Sequence, residues 1–422
     1  MNSTIAAITS VLAAIFLCEF GSSLLGVLQP IRGLQEGFPS YGIGTLGTAY
    51  YLGFILGCLY IPRLIKRFGH IRVFSAFAAI AGSTALLNAF IIDIVAWFLL
   101  RIVFGFCMAG IFTVAESWLN ELAISKTRGR ILAGYMVVVW VAVLSGKLLF
   151  SMQDPSTILP FAIVSIVISL SLVPVALTTG VAPERKEAVR FRPRDVYEAA
   201  PIGIVTCFLI GMINGALWVL APIYAQVQTQ TTASVGIFMA VLVFGGALAQ
   251  WPIGKFSDHV DRRWVILVSS LMAAIFGIGL ATLQPTDEFK LFAFAFGFGA
   301  AALPLYSLCI AHVNDKVSPT MFVEVSGQLL LTFGLGAIIG PLIASVLIDI
   351  FSFYALFVYT AIIHILIASY ATWRLCRIAP IPKEEQVSFT AVPHTTPLVF
   401  EMQATSIPEK KRKQMNKTQS GV

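Results

Sequence analysis

Residues Trp97–Trp118 read WFLLRIVFGFCMAGIFTVAESW. A helix of about 20 residues, rising about 1.5 Å per residue, covers the roughly 30 Å hydrocarbon core of a bilayer. This stretch is therefore long enough to cross one. Two charges break its apolar character, Arg101 near one end and Glu116 near the other. A fixed positive charge in lipid costs about 2.5–3.5 kcal/mol on insertion scales, so such a residue faces a protein interior or a water-filled path, or snorkels to the interface.

Similar blocks recur along all 422 residues, of which 58% are hydrophobic and 12% charged. That charge content is about half the usual share for soluble domains. In lipid the backbone must satisfy its own hydrogen bonds, so the blocks are helices and the chain reads as an all-α polytopic membrane protein. Spans are expected near 8–30, 43–62, 72–91, 94–117, 131–151 and 159–179, then 200–222, 234–254, 264–283, 289–311, 323–347 and 353–373.

The net charge of +7 is not a nucleic-acid signature, because the basic residues concentrate in alternate short loops and the tail. Arg63, Lys66, Arg67 and Arg72 follow the second span, Lys126, Arg128 and Arg130 the fourth, and Lys255, Arg262 and Arg263 the eighth. Basic loops collect on the cytoplasmic side, which with twelve spans places both termini inside. The six cysteines are scattered singly and His312 and His364 have no partner at ligand spacing, so no disulfide framework, metal site or cofactor is expected. No Walker loop or dinucleotide fingerprint appears, and no enzyme constellation.

One long polar interruption, residues 181–199, divides the spans six and six. The expected layout is a first half (1–180), this cytoplasmic linker, a second half (200–379) and a disordered cytoplasmic tail (380–422). The halves repeat at an offset of 192: Pro30 with Pro222, Gly44 with Gly236, Gly53 with Gly245, and Phe104-Gly105-Phe106 with Phe296-Gly297-Phe298. Parallel repeats of this kind place a substrate site near mid-membrane between the halves.

The stretches after the second and eighth spans resemble the loop motif of the major facilitator superfamily, GxxxD(R/K)xGx(R/K)(R/K). The second copy runs from Gly254 through Asp258 to Arg262 and Arg263. The first has Pro62 for the leading glycine and Lys66 for the aspartate, followed by Arg67, Gly69 and Arg72. RGRILAGYM (128–136) and MAVLVFGGALAQWPIGKFSD (239–258) are similar to the YcaD-like branch of bacterial transporters. The resemblance implies twelve helices in two six-helix pseudo-repeats, set as a monomer in a bacterial inner membrane. It also implies secondary transport of a small-molecule substrate.

In proton-coupled exporters of this superfamily the fourth span carries an arginine followed four residues on by glycine, as Arg101 and Gly105 stand here. Such exporters often place an acid in the first span, which makes Glu19 and Arg101 the candidate proton-coupling pair. Their glycine-rich GP signature in the fifth span is missing. That span instead carries Lys147, and a GxxxGP pattern ends at Pro341 in the eleventh. Trp140, Lys147, Asn214, Trp218, Phe298 and Tyr306 are candidates for the substrate cavity. Three functions compete: a proton-coupled exporter of amphipathic compounds, which is favoured; an importer of a small metabolite or anion; and a non-transporting receptor or scaffold.

Overall fold

The computed structural model describes residues 2–123, 127–177, 201–282, 287–317, 321–377 and 386–391. The linker and most of the tail lie outside the described residues. Among the described residues twelve helices are long and apolar enough to cross a membrane: α1 Thr4–Gln35, α2 Ser40–Phe68, α3 His70–Phe90, α4 Ile94–Leu122, α5 Arg128–Phe150 and α6 Leu159–Ala176, then α7 Pro201–Thr229, α8 Thr232–Ser257, α9 Arg262–Thr282, α10 Glu288–Asn314, α11 Glu324–Ile350 and α12 Ala355–Arg377. The chain is an integral multi-pass membrane protein. We call proximal the end of the bundle where α2 meets α3 and α8 meets α9, and distal the opposite end.

Several helices outrun their apolar blocks. α2 was expected to stop at residue 62 but passes through Pro62 to Phe68, carrying Lys66 and Arg67 in its last turn. Gly69 alone joins α2 to α3 at φ +83, where a side chain would be strained. α6 ends at Ala176 rather than 179, with a break at Ser171. α10 is broken between Ala302 and Leu305 at Pro304, which has no N–H to continue the ladder.

Within each half the helices approach closely through glycine. A Cβ at Gly53 would overlap the Ile102 carbonyl oxygen, and one at Gly105 that of Tyr50, so α2 and α4 touch backbone to backbone. In the second half Gly245 meets the Phe296 carbonyl and Gly299 that of Leu242. The repeat is thus real, but its register changes. Gly105 corresponds in packing to Gly299, not to the expected Gly297, whose Cβ would instead meet the Phe276 ring. The helix caps agree, since Asp93 accepts from Ala96 at the start of α4 and Asp287 from Phe289 at the start of α10. The offset is therefore 192 through α2 and α8 but 194 from α4 and α10 onward. Two extra residues lie in the α9–α10 connection, because α9 still ends at the 192 offset from α3. Gly146 on Phe20 and Gly340 on Met212 continue the 194 register, which makes Lys147 the counterpart of Pro341.

These glycines supply a test. Gly299→Val forces a side chain into the Leu242 backbone, an overpacking that costs about 3 kcal/mol. Gly134→Val, with no atom near its Cβ, is expected to be silent. Thermal unfolding of the two purified variants measures the difference, and equal midpoints would refute this packing.

The halves meet at their distal ends. Gly44 in α2 lies against Ser345 and the Pro341 carbonyl of α11, while Gly236 in α8 lies against Ser151 and the Lys147 carbonyl of α5. The Thr48 hydroxyl donates to the Ile338 carbonyl at 2.7 Å, and the Tyr41 amide to Asp349 at 3.2 Å. The expected glycine pair 44 and 236 is therefore the small-residue seam between the halves, where backbones come close enough for van der Waals packing to hold them.

Candidate functional site

Below this seam lies a cavity of about 180 Å³, lined by Glu19, Ser22, Ser23, Gly26, Gly47, Tyr50, Tyr51, Arg101, Val143, Lys147, Gly215 and Trp218. Five helices build it. α1 brings Glu19, α2 the tyrosines, α4 Arg101, α5 Lys147 and α7 Trp218. All three charges come from the first half; the second contributes Gly215 and the indole.

Glu19 stands midway along α1, where an apolar helix would tolerate a charge only if it faced inward. Among the described residues it makes no hydrogen bond and no ion pair. The neighbouring Ser23 hydroxyl is spent on the Val143 carbonyl at 2.7 Å. Glu19 and Lys147 interact electrostatically across the cavity. The two charges expected to pair, Glu19 and Arg101, share the cavity but form no salt bridge.

Arg101 is held by rings. Its guanidinium carbon lies 5.1 Å from the Tyr50 ring centre and 5.4 Å from that of Phe104. Among the described residues Nε and Nη1 of Arg101 have no hydrogen-bond partner. Phe104, one turn along α4, is therefore part of the arginine's aromatic seat. Each such contact contributes about 0.5–2 kcal/mol, more as the pair is desolvated.

Lys147 is 4% exposed, yet among the described residues no hydrogen bond anchors its ammonium. It sits 5.0 Å from the Trp218 ring centre, the contact that links the halves across the cavity. Its own carbonyl lies at the Gly236 seam. The lysine is thus fixed where α5 meets α8.

The other expected cavity residues are placed elsewhere. Asn214 is buried in α7 beside Gly215, with Nδ2 unpartnered, but it is not among the lining residues. Phe298 is fully buried against Phe357 and His364, inside the second half. Tyr306 packs edge-on to Phe333. Trp140 packs partly buried against the core. Tyr50, Tyr51, Ser22 and Ser23 are the polar lining residues that sequence reasoning missed. The available signal was a pair of tyrosines in mid-span and two serines one turn from Glu19.

The loop motifs differ between the halves. Lys66, Arg67 and Arg72 are exposed and make no ion pair among the described residues. In the second half Arg262 is 1% exposed and bridges two acids, Asp258 at 3.0 Å and Asp315 at 2.8 Å. Arg263 pairs with Asp261 at 2.5 Å and donates to the Arg374 carbonyl of α12 at 3.2 Å. Gly254 is buried on the same side. This cluster ties together the proximal ends of α8, α9, α10 and α12.

The family model of the Major Facilitator Superfamily matches the chain twice, over residues 11–229 and 203–407. An uncharacterized MFS-type transporter of Enterobacter sp. (strain 638) is 29% identical over 357 residues, covering 83% of this chain and 91% of the relative. The uncharacterized MFS-type transporter YcaD of Escherichia fergusonii is 28% identical over 352 residues, with the same coverage. Among solved structures, the nucleoside transporter NupG superposes with a TM-score of 0.72 at 14% identity, covering 90% of this chain and 100% of that one. A bacterial homolog of the human lysosomal transporter Spinster gives 0.71 at 15% identity, covering 90% and 97%. At these identities the structural likeness concerns the fold.

Proposed function

Because the chain belongs to the Major Facilitator Superfamily, we propose that it is a secondary transporter that carries a small organic anion by alternating access, with Glu19 as the proton-coupling group. The observation that carries this reading is the convergence of Glu19, Arg101 and Lys147 on one cavity between the halves. Two cations with unspent donors face a single carboxylate. A site of that balance accepts one further negative charge, and buried cations gain most from an ion that also takes their hydrogen bonds.

Size supports the small anion over the bulkier amphipathic compounds that the sequence favoured. A cavity of about 150 Å³ holds a benzene. The present one therefore suits a solute of roughly six to ten non-hydrogen atoms. Trp218, Tyr50 and Tyr51 offer flat apolar faces to the rest of such a molecule, which fits the common pattern of an apolar pocket with a few placed charges.

Coupling follows from the same residues. A carboxylate without hydrogen bonds in a water-poor site must be neutralised by a cation or by a proton. When the anion occupies Lys147 and Arg101, Glu19 loses its electrostatic partner and takes a proton instead. The loaded site then carries the charge balance of the empty one, and the halves can rock about the glycine seam.

The test is transport into proteoliposomes of purified protein, across a panel of small carboxylates, amphipathic cations and neutral solutes, with and without an imposed pH gradient. Gradient-dependent movement of carboxylates is expected. Movement of cations in preference to carboxylates would refute the substrate class, and indifference to the gradient would refute the coupling. The positive-inside pattern places both termini in the cytoplasm. On that topology Ser388→Cys is labelled by an impermeant reagent only in inside-out vesicles.

A further inference from the structure

Residues 386–391, which begin nine positions beyond the end of α12, lie as an extended segment on the cluster formed by Asp258, Arg262 and Asp315. The sequence placed this stretch in a free tail. Its backbone instead places three polar groups, two from Val387 and one from Phe389, on charged side chains. The Val387 amide donates to Asp315 Oδ1 at 2.8 Å. The Val387 carbonyl accepts from the Arg262 guanidinium. The Phe389 amide donates to Asp258 Oδ1 at 2.7 Å. Val387 is 4% exposed, and the Phe389 ring fills the space that a Cβ on Gly254 would need. Ser388, between them, points to solvent.

We infer that the proximal end of the second half carries a docking site for an extended peptide, and that its ligand is the chain's own tail segment Gln386–Ala391. From Val387 to Phe389 the side chains alternate as they do along a strand, two inward and one outward, while Gln386 before them is buried as well. Recognition therefore rests on main-chain groups plus pockets for every second residue, the logic by which extended peptides are bound at sheet edges. Here charged side chains replace the sheet edge. Hydrogen bonds to ionised groups are about twice as strong as neutral ones.

Charge explains why the second half has this site and the first does not. By the packing register, the counterparts of Gly254, Asp258, Arg262 and Asp315 are Pro62, Lys66, His70 and Glu121. Proline closes the notch for an aromatic ring, and Lys66 cannot accept an amide. His70 is spent on the Ser117 hydroxyl at 3.2 Å, and Glu121 is exposed. Among the described residues no guanidinium bridges two acids there. The glycine that opens the loop motif is thus a seat for Phe389 as well as a place for helices to approach.

The segment also links elements that the cluster alone holds only by side chains. Asp258 follows α8, Arg262 opens α9 and Asp315 follows α10, and the strap contacts all three. Burial pushes the Asp315 carboxyl up to about 6, against the pull of the Arg262 guanidinium and the Val387 amide. A buried acid of this kind is costly without donors, so the docked tail supplies one that the body lacks. Release of the tail leaves Asp315 with a single donor group, and the three proximal helix ends less firmly joined.

Hydrogen exchange on the full-length protein tests the assignment. In the unmodified chain, a peptide covering 386–391 is expected to retain two amides, those of Val387 and Phe389, that exchange about ten-fold or more slowly than free chain, the scale of one net buried hydrogen bond. Phe389→Pro removes the N–H that Asp258 accepts and lies outside every helix, so it leaves the body intact. It is expected to return the Val387 amide to the free-chain rate. Free-chain exchange throughout the segment in the unmodified protein would overturn the proposal, and so would protection of Val387 that survives Phe389→Pro.

Discussion

Glu19→Gln is expected to abolish transport driven by a pH gradient, by about a hundred-fold or more, while substrate exchange without a gradient stays within about three-fold of the unmodified protein. Glutamine keeps the shape and polarity of the side chain and removes only the titratable proton. Among the described residues Glu19 makes no hydrogen bond that the change would break, so a general loss of folding is not expected. Lys147 would lose its electrostatic neighbour. A carboxylate that served only as a static bridge predicts a different pattern. Each single substitution would then leave an orphaned charge and lose stability, by about 3–5 kcal/mol for a buried pair. Glu19→Gln/Lys147→Met would recover both stability and gradient-driven transport. Proton-coupled uptake by that double variant, normalised to folded protein, is the deciding measurement, and no recovery is expected. The companion Glu19→Gln/Arg101→Ala separates the role of the arginine, which the rings of Tyr50 and Phe104 hold in place without Glu19.

Lys147→Met is expected to raise the KM for an anionic substrate by about ten- to a hundred-fold, the range for one charged hydrogen bond. Its effect on kcat at saturation is expected to be smaller, since binding in the resting site is what the ammonium supplies. Methionine keeps the length of the chain and its packing on Trp218, so the change isolates charge. Lys147→Arg is expected to recover part of the affinity, because a guanidinium also stacks on an indole but needs more room. A neutral or cationic substrate predicts the reverse, with KM unchanged or lowered by Lys147→Met. The same titration therefore tests the substrate class independently of coupling at Glu19.

The apolar blocks alone determined the class of this protein. A chain this poor in charge must bury its backbone in helices when it meets lipid, and the number of blocks sets the number of spans. The loop motif and the repeat identified the superfamily and the two halves. Glu19, Arg101 and Lys147 were legible for a simple reason: each is a charge set within an apolar run of its helix, where cost demands an explanation.

Only the tertiary structure decided which of these residues meet. The sequence paired Glu19 with Arg101 because the exporters it resembles carry an acid in the first span and an arginine in the fourth. Rotation of each helix about its axis is not written in its apolar pattern, since a span buried in protein on one side and lipid on the other is apolar all round. That rotation turns Arg101 onto Tyr50 and Phe104, sets Lys147 beside Trp218 of the other half, and puts Phe298 and Tyr306 into the second half's packing. The two-residue change of register escaped for a related reason. Gly297 and Gly299 are equally good matches to Gly105 by type, and only the carbonyl of Leu242 chooses between them. The strap on Asp258 and Asp315 was hidden because its contacts run through main-chain groups, which every residue carries and no sequence displays.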